Sequence, residues 1–198
     1  ALDAGASHTC VVLDEGSVWC WGSNQSGQQG NGTFGVKRTP TTVHSFGSAS
    51  TAIEAGARHS CALSTAGDAF CWGANMFGQL GDGSTVNWPI PVVVAGLGSG
   101  VLAMSTGMDH TCAISSDAEG YCWGNNSVGQ LGDGSTTDRL TPTSVGGIGE
   151  GLVAIESGAA HSCALSASGG VWCWGSNHSG QLGNGSTDPS PNPVAVSG

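Results

Sequence analysis

Basic residues are almost missing from this chain. Only Lys37, Arg38, Arg58 and Arg139 are present among 198 residues, against 14 acidic ones. A net charge of −10 with no basic cluster excludes the phosphate-neutralising surface that nucleic-acid binding needs. It also disfavours anionic membranes and points to a neutral or basic partner. No segment approaches 18 consecutive apolar residues, so no helical membrane insertion is expected. A starting Met and a signal-peptide pattern are both missing, which points to a mature or excised form. No P-loop, dinucleotide fingerprint or paired-acid arrangement is found, and the chain is not expected to be an enzyme or to carry a cofactor.

What is there is a period. Cys10, Cys61, Cys112 and Cys163 recur every 51 residues, as do Cys20, Cys71, Cys122 and Cys173. His8, His59, His110 and His161 keep the same spacing, and Trp21-Gly22 returns at Trp72, Trp123 and Trp174. Pro40, Pro91, Pro142 and Pro193 close the units. Such a period signals repeat architecture, with units at 1–51, 52–102, 103–153 and 154–198. Gly is 35 of 198 residues and occupies fixed motif positions, which reads as turns rather than a linker.

The second unit shows the local pattern. Ala52–Gly56, His59–Leu63, Ala69–Trp72 and Pro91–Val94 read as four short strands, the last with Pro at its first residue, where no ladder donor is lost. Strands two and three should form a hairpin. In the first unit, Asp14-Glu15-Gly16 makes a three-residue loop with Gly16 at the left-handed position. Gly67 and Gly169 repeat it, whereas Ala118 implies a different third turn. Centring the hairpin on Glu15 sets Cys10 opposite Cys20, within disulfide reach. The predicted bridges are Cys10–Cys20, Cys61–Cys71, Cys112–Cys122 and Cys163–Cys173. The alternatives are reduced core thiols and metal ligation, but zinc favours tighter spacings. Bridges imply an oxidising setting: extracellular, at the cell surface, or periplasmic. In strand three, Cys20 and Val18 face one side, Trp19 and Trp21 the other. A strand apolar on both faces suits sheets stacked around an axis, a β-propeller, with a solenoid as the rival.

After each Trp-Gly comes a second motif: Asn75, Gly78, Gln79, Leu80, Gly81, Asp82 and Gly83 match Asn126 to Gly134 and Asn177 to Gly185. The first unit has Gln29 in place of the Leu. The order H-[ST]-C, C-W-G-x-N, G-Q-L-G-[DN]-G, Pro-x-x-Val resembles the regulator-of-chromosome-condensation repeat over essentially the whole chain. That resemblance implies an all-β propeller of four-stranded antiparallel blades, here four repeats of 51 residues. Members of the family typically have seven blades. They act in nucleotide exchange on a small GTPase, in chromatin binding and, in secreted bacterial relatives, in protein binding. An acidic, oxidisable chain suits the last of these best.

The recurring His residues are expected to bond a neighbouring turn, one per blade, and no metal site is expected. Asp82 and Asp133 resemble half a calcium loop but lack its alternating carboxylates, and Asn replaces them at Asn31 and Asn184, so they should support turns. Asn24, Asn31, Asn125, Asn177 and Asn184 lie in glycosylation sequons. Function should sit where register persists but chemistry varies. Phe34, Lys37 and Arg38, Trp88, and Arg139 follow the Gly-rich turn on successive units, and Phe77 beside Met76 forms a second variable patch. These are the candidate protein-binding loops, with ordinary loop variation as the competing explanation. Four units leave the blade number open: a piece of a longer propeller, a ring closed by further copies, or a filament. The expectation is a non-catalytic extracellular protein-binding or scaffold module. Its partner is another protein or copies of itself. The alternative is a structural subunit of a self-assembling extracellular polymer.

Overall fold

The structure, a computed structural model, describes residues 1–44, 47–149 and 151–197. Its described elements are sixteen strands in four antiparallel sheets, each a simple meander. Blade 1 holds β1 Leu2–Ala4, β2 His8–Val12, β3 Val18–Gly22 and β4 Lys37–Thr42. Blade 2 holds β5 Ser50–Ala55, β6 His59–Ser64, β7 Ala69–Gly73 and β8 Trp88–Val93. Blade 3 holds β9 Ala103–Thr106, β10 His110–Ile114, β11 Gly120–Gly124 and β12 Arg139–Ser144. Blade 4 holds β13 Leu152–Ser157, β14 His161–Ser166, β15 Val171–Gly175 and β16 Ser190–Ala195. The first strands of blades 2 and 4 thus begin at Ser50 and Leu152, ahead of the unit starts at 52 and 154. None of the described helices is long and apolar enough to cross a membrane, because none of the described residues is helical.

Each hairpin register follows from its short loop. Cys10 faces Cys20, Cys61 faces Cys71, Cys112 faces Cys122 and Cys163 faces Cys173 across paired strands. The Cα atoms of these pairs are 4.1–4.2 Å apart, close enough for one bridge per blade, and all four form. The third hairpin does not turn differently. Ala118 adopts the left-handed conformation of Gly16, Gly67 and Gly169, with φ of 61°. Its N–H bonds the Ser115 carbonyl as that of Gly16 bonds Leu13. The register of the flanking strands imposes the turn, and the alanine accepts strained backbone. Ala118→Gly should therefore stabilise the chain by about 0.5–1 kcal/mol, measured by urea denaturation.

The fourth strand also departs from expectation. It begins at Trp88 in blade 2, so Pro89 and Pro91 lie inside it rather than Pro91 opening it. The outer strand is an edge, and its pairing shifts between Cys71 and Gly73, so the missing proline donors cost the ladder nothing.

The core lies between blades. Cys10, Val12, Val18 and Cys20 of blade 1 cluster with Ile53, Ala62 and Trp72 of blade 2. A polar clamp repeats at each of these junctions. The His8 ring Nε2 lies 2.8 Å from the Ser60 hydroxyl, and that hydroxyl donates to the Gln28 carbonyl at 2.9 Å. The Trp72 indole donates to the same carbonyl at 2.9 Å. His59, Thr111, Gln79 and Trp123 repeat this, as do His110, Ser162, Gln130 and Trp174. The expected partner of each His was a turn; for His8, His59 and His110 it is the hydroxyl on the next blade's second strand. Neighbours in sequence, such as His8 and Thr9, point to opposite sides of a strand, so they serve different junctions.

Candidate protein-binding face

Antiparallel order sends alternate loops to opposite ends of the strands. The loop between β1 and β2 and the long loop between β3 and β4 share one end, joined by a bond from the Ser23 N–H to the Ser7 carbonyl. Ala74 to Arg58, Asn125 to Asp109 and Ser176 to Ala160 repeat the bond. All six candidate residues lie in or beside the long loops at this end, so the structure gathers them on one face.

A buried asparagine organises each long loop. The Asn75 Oδ1 accepts from the Leu80 N–H at 2.9 Å, and its amide donates to Asp82 at 3.1 Å and to the Ser84 carbonyl at 3.1 Å. Asp82 accepts from the Ser84 N–H at 2.9 Å and from the Trp88 indole at 3.0 Å. Burial pushes the Asp82 carboxyl up, but donors from Ser84, Asn75 and Trp88 outweigh it and hold the group below its usual range. Its oxygens are thus committed to the turn. In blade 3, Arg139 takes the place of Trp88: its Nε donates to Asp133 at 2.8 Å, and a second nitrogen lies 2.7 Å from the same oxygen. Of the sequon asparagines, Asn24 and Asn177 are buried with their amides donating within the loop.

The candidates therefore divide. Phe34, Lys37 and Arg38 are exposed and project from blade 1. Trp88 and Arg139 are half-buried and tied to the aspartate of their own loop, offering one flank to solvent. Phe77 is half-buried, whereas its neighbour Met76 is 70% exposed. Val36, Val86 and Met108 are exposed apolar side chains on the same face. Met108 went unread in the sequence, although it stands where the other units have Ala6, Ala57 and Ala159. That departure in register was the available signal.

Near the axis the inner loops of all four blades line an open depression of about 300 Å³, bordered by Gly5, Gly56, Gly107 and Gly158 with their neighbours. The innermost strands place Asp3, Glu54, Ser105 and Glu156 at equivalent positions. Asp3 accepts from the Ala55 N–H at 2.6 Å, and Ser105 from the Ser157 N–H at 2.9 Å, each reaching the next blade. Burial, then Asp3 and Glu156, push the Glu54 carboxyl up to about 7. A carboxyl that holds its proton more tightly when folded loses stability as pH rises from about 4.5 through 7, and the loss persists above. Glu54→Gln should raise stability at pH 8 by about 1–2 kcal/mol, discounted for partial solvent screening. The gain should vanish below pH 4.5, as read by melting temperature. The acid limb belongs to the histidines: burial lowers His8 to about 4, His59 to about 3 and His110 to about 4. Folded-state neutrality of these rings favours the fold above pH 6.5 and is lost as pH falls. Among the described residues no cluster of three or more His, Cys, Asp or Glu is arranged to hold a metal ion.

Comparison with known proteins agrees with this geometry. The chain is 31% identical over 203 residues to the human E3 ubiquitin-protein ligase HERC2, covering all of this chain and 4% of that protein. It is 33% identical over 185 residues to the ultraviolet-B receptor UVR8 of Arabidopsis thaliana, covering 92% of this chain and 42% of that one. It thus spans less than half the length of either relative. Human WBSCR16 superposes with a TM-score of 0.90 at 24% identity, over all of this chain and 52% of that chain. Yeast RCC1 (Prp20), solved bound to Kap60, superposes with a TM-score of 0.87 at 22% identity, over all of this chain and 48% of that chain. The sequence model of the RCC1-like domain matches residues 1–198, and the chain belongs to that family.

Proposed function

We propose that this chain is a non-catalytic protein-binding module of an oxidising, extracellular or periplasmic compartment. Its long-loop face is the docking surface. The observation that carries this reading is a rigid loop framework bearing variable, exposed apolar tips: Phe34, Val36, Met76, Val86 and Met108 stand exposed above asparagine-centred loops. Pre-formed loops lose little entropy on binding, so apolar contacts made by their tips are not spent on ordering the backbone. Support for the compartment comes from the cysteines, all eight of which are paired, none remaining free. Yeast RCC1, with the same fold, was solved bound to a protein, Kap60.

The test is capture from the extracellular fraction of the source on immobilised chain. A specific protein partner should be retained by wild type and by Asp14→Ala, which alters the opposite, hairpin end. Retention should fall about tenfold or more for Phe34→Ala and for Met76→Ala. Trp88→Ala should weaken capture less than Phe34→Ala, because the indole is half-buried against its own loop and offers less free surface than the exposed Phe34 ring. Loss of capture in Asp14→Ala with full retention in Phe34→Ala would move the docking surface to the other end.

A further inference from the structure

Five asparagines lie in N-x-[ST] sequons, and the fold gives their side-chain amides different work. Asn24 and Asn177 have no exposed surface. The Asn24 Nδ2 donates to the Thr33 carbonyl at 2.8 Å, and the Asn177 Nδ2 donates to the Ser186 and Asp188 carbonyls, both at 3.0 Å. The Asn31 Nδ2 donates to Gln29 at 3.2 Å and to Thr41 at 3.4 Å. Asn184 accepts from the Asn177 amide, as Asp82 and Asp133 accept from Asn75 and Asn126. That position lies inside the loop, where the Asp133 side chain is 4% exposed. Asn125 differs from all four. It stands where the other units have Ser23, Ala74 and Ser176. Each serine hydroxyl accepts from the glutamine of its own loop, Gln28 or Gln181, at 3.3 Å. Asn125 does this with its amide oxygen, which accepts from the Gln130 Nε2 at 2.6 Å and from the Ser127 hydroxyl at 2.8 Å. Its Nδ2 makes no hydrogen bond among the described residues, nor is it a buried unpartnered group. Asn125 is half-buried and the sequon serine, Ser127, is exposed. The asparagine thus replaces the serine with its oxygen and carries a spare amide nitrogen to the surface.

We propose that Asn125 is a modification site and that its Nδ2 carries an N-linked oligosaccharide. This rests on the extracellular reading above, because the sugar donor, an oligosaccharide pyrophosphoryl lipid, is met on the secretory route. In the transfer Nδ2 attacks the anomeric carbon of the donor. A C–N bond forms, the anomeric C–O bond breaks, the lipid pyrophosphate leaves with that electron pair, and the amide gives up one proton. The amide oxygen keeps its bonds to Gln130 and Ser127, so the blade 3 loop keeps its shape. At Asn24 or Asn177 the same step would remove a buried donor, leave carbonyls unsatisfied and drive a sugar into a closed loop. The sugar rises from the long-loop end of blade 3. The apolar tips of blades 1 and 2, Phe34, Val36, Met76 and Val86, stay open as the docking face.

Peptide mapping of the chain from the extracellular fraction of its source, before and after peptide N-glycosidase in heavy-oxygen water, tests this. The peptide holding Asn125 should carry hexose and N-acetylhexosamine, and the enzyme should convert Asn125 to isotope-labelled aspartate. The other four sequons should be bare. Asn125→Ser, expressed in the same cells, should lose the sugar and still fold with all four disulfides, since serine serves at that position in blades 1 and 4. Ser127→Ala should lose the sugar although Asn125 remains. A chain with its cysteines paired and Asn125 bare would overturn the site and leave the compartment reading standing. Sugar at Asn24, Asn31, Asn177 or Asn184 in place of Asn125 would also overturn it, because a spare amide would then not be what selects the acceptor. Free cysteines together with five bare sequons would overturn both.

Discussion

Trp123→Ala is expected to cost about 3–5 kcal/mol of folding stability, and Trp21→Ala, the same repeat position, about 1 kcal/mol or less. The two tryptophans share a motif and differ in surroundings. Trp123 has no exposed surface, lies among Leu80, Val94 and Ala113, and donates to the Gln79 carbonyl at 3.0 Å. The Gly81 backbone approaches so closely that a Cβ there would lie 2.7 Å from the indole nitrogen. That glycine makes room for the ring. Removing the ring leaves a large cavity between two blades, which short strands tethered by bridges cannot collapse to fill. Trp21 is half-exposed, and among the described residues no blade packs over it. Trp123→Phe should fall between, keeping most of the burial and losing the donor. Urea unfolding of the three variants gives the comparison. Equal costs at positions 21 and 123 would refute the assignment of stability to the junctions rather than to the blades.

The second large effect is loss of the disulfides. Replacing Cys61 and Cys71 together by alanine should cost about 2–3 kcal/mol, by the chain-entropy account of a short closed loop. Removing all four bridges should lower stability more than any single core substitution. The bridges matter here because each blade is small. Its strands are three to six residues long, and one face of each sheet finds its cover only on a neighbour. Reduction should also be ordered. Cys10, Cys20, Cys61, Cys71, Cys112 and Cys122 have no exposed surface, whereas Cys163 at the open end is half-buried. A thiol reductant should therefore open Cys163–Cys173 first, as peptide mapping after timed alkylation would show. Simultaneous reduction of all four would mean that the chain opens globally before any bridge is reached.

Much of this architecture was legible without coordinates. Two cysteines ten residues apart, centred on Glu15, face each other in a hairpin, which favoured bridges over reduced thiols or metal ligation, and the bridges form. The period of 51 and the doubly apolar third strand carried the blade. Two details failed for physical reasons. Ala118 was read by its own preference, but the paired strands on either side set its φ. Pro91 was placed at a strand start because no ladder donor is lost there, but an edge strand tolerates proline in its interior as well.

Function was harder to read, because it depends on which side chains are free. Phe34, Lys37, Arg38, Phe77, Trp88 and Arg139 were chosen as variations in register, and all fall on one face. Sequence could not reveal that Trp88 and Arg139 are held by Asp82 and Asp133, nor that Met108 stands clear beside the axis. Local spacing by itself determined the strands, the hairpin register, the cystines and the repeat, since each rests on contacts between residues close in the chain. Only the tertiary structure decided what the repeated His, Ser and Trp do. Their partners lie one blade away, and a strand turns neighbouring side chains to opposite faces. His8 therefore meets Ser60 and not Thr9.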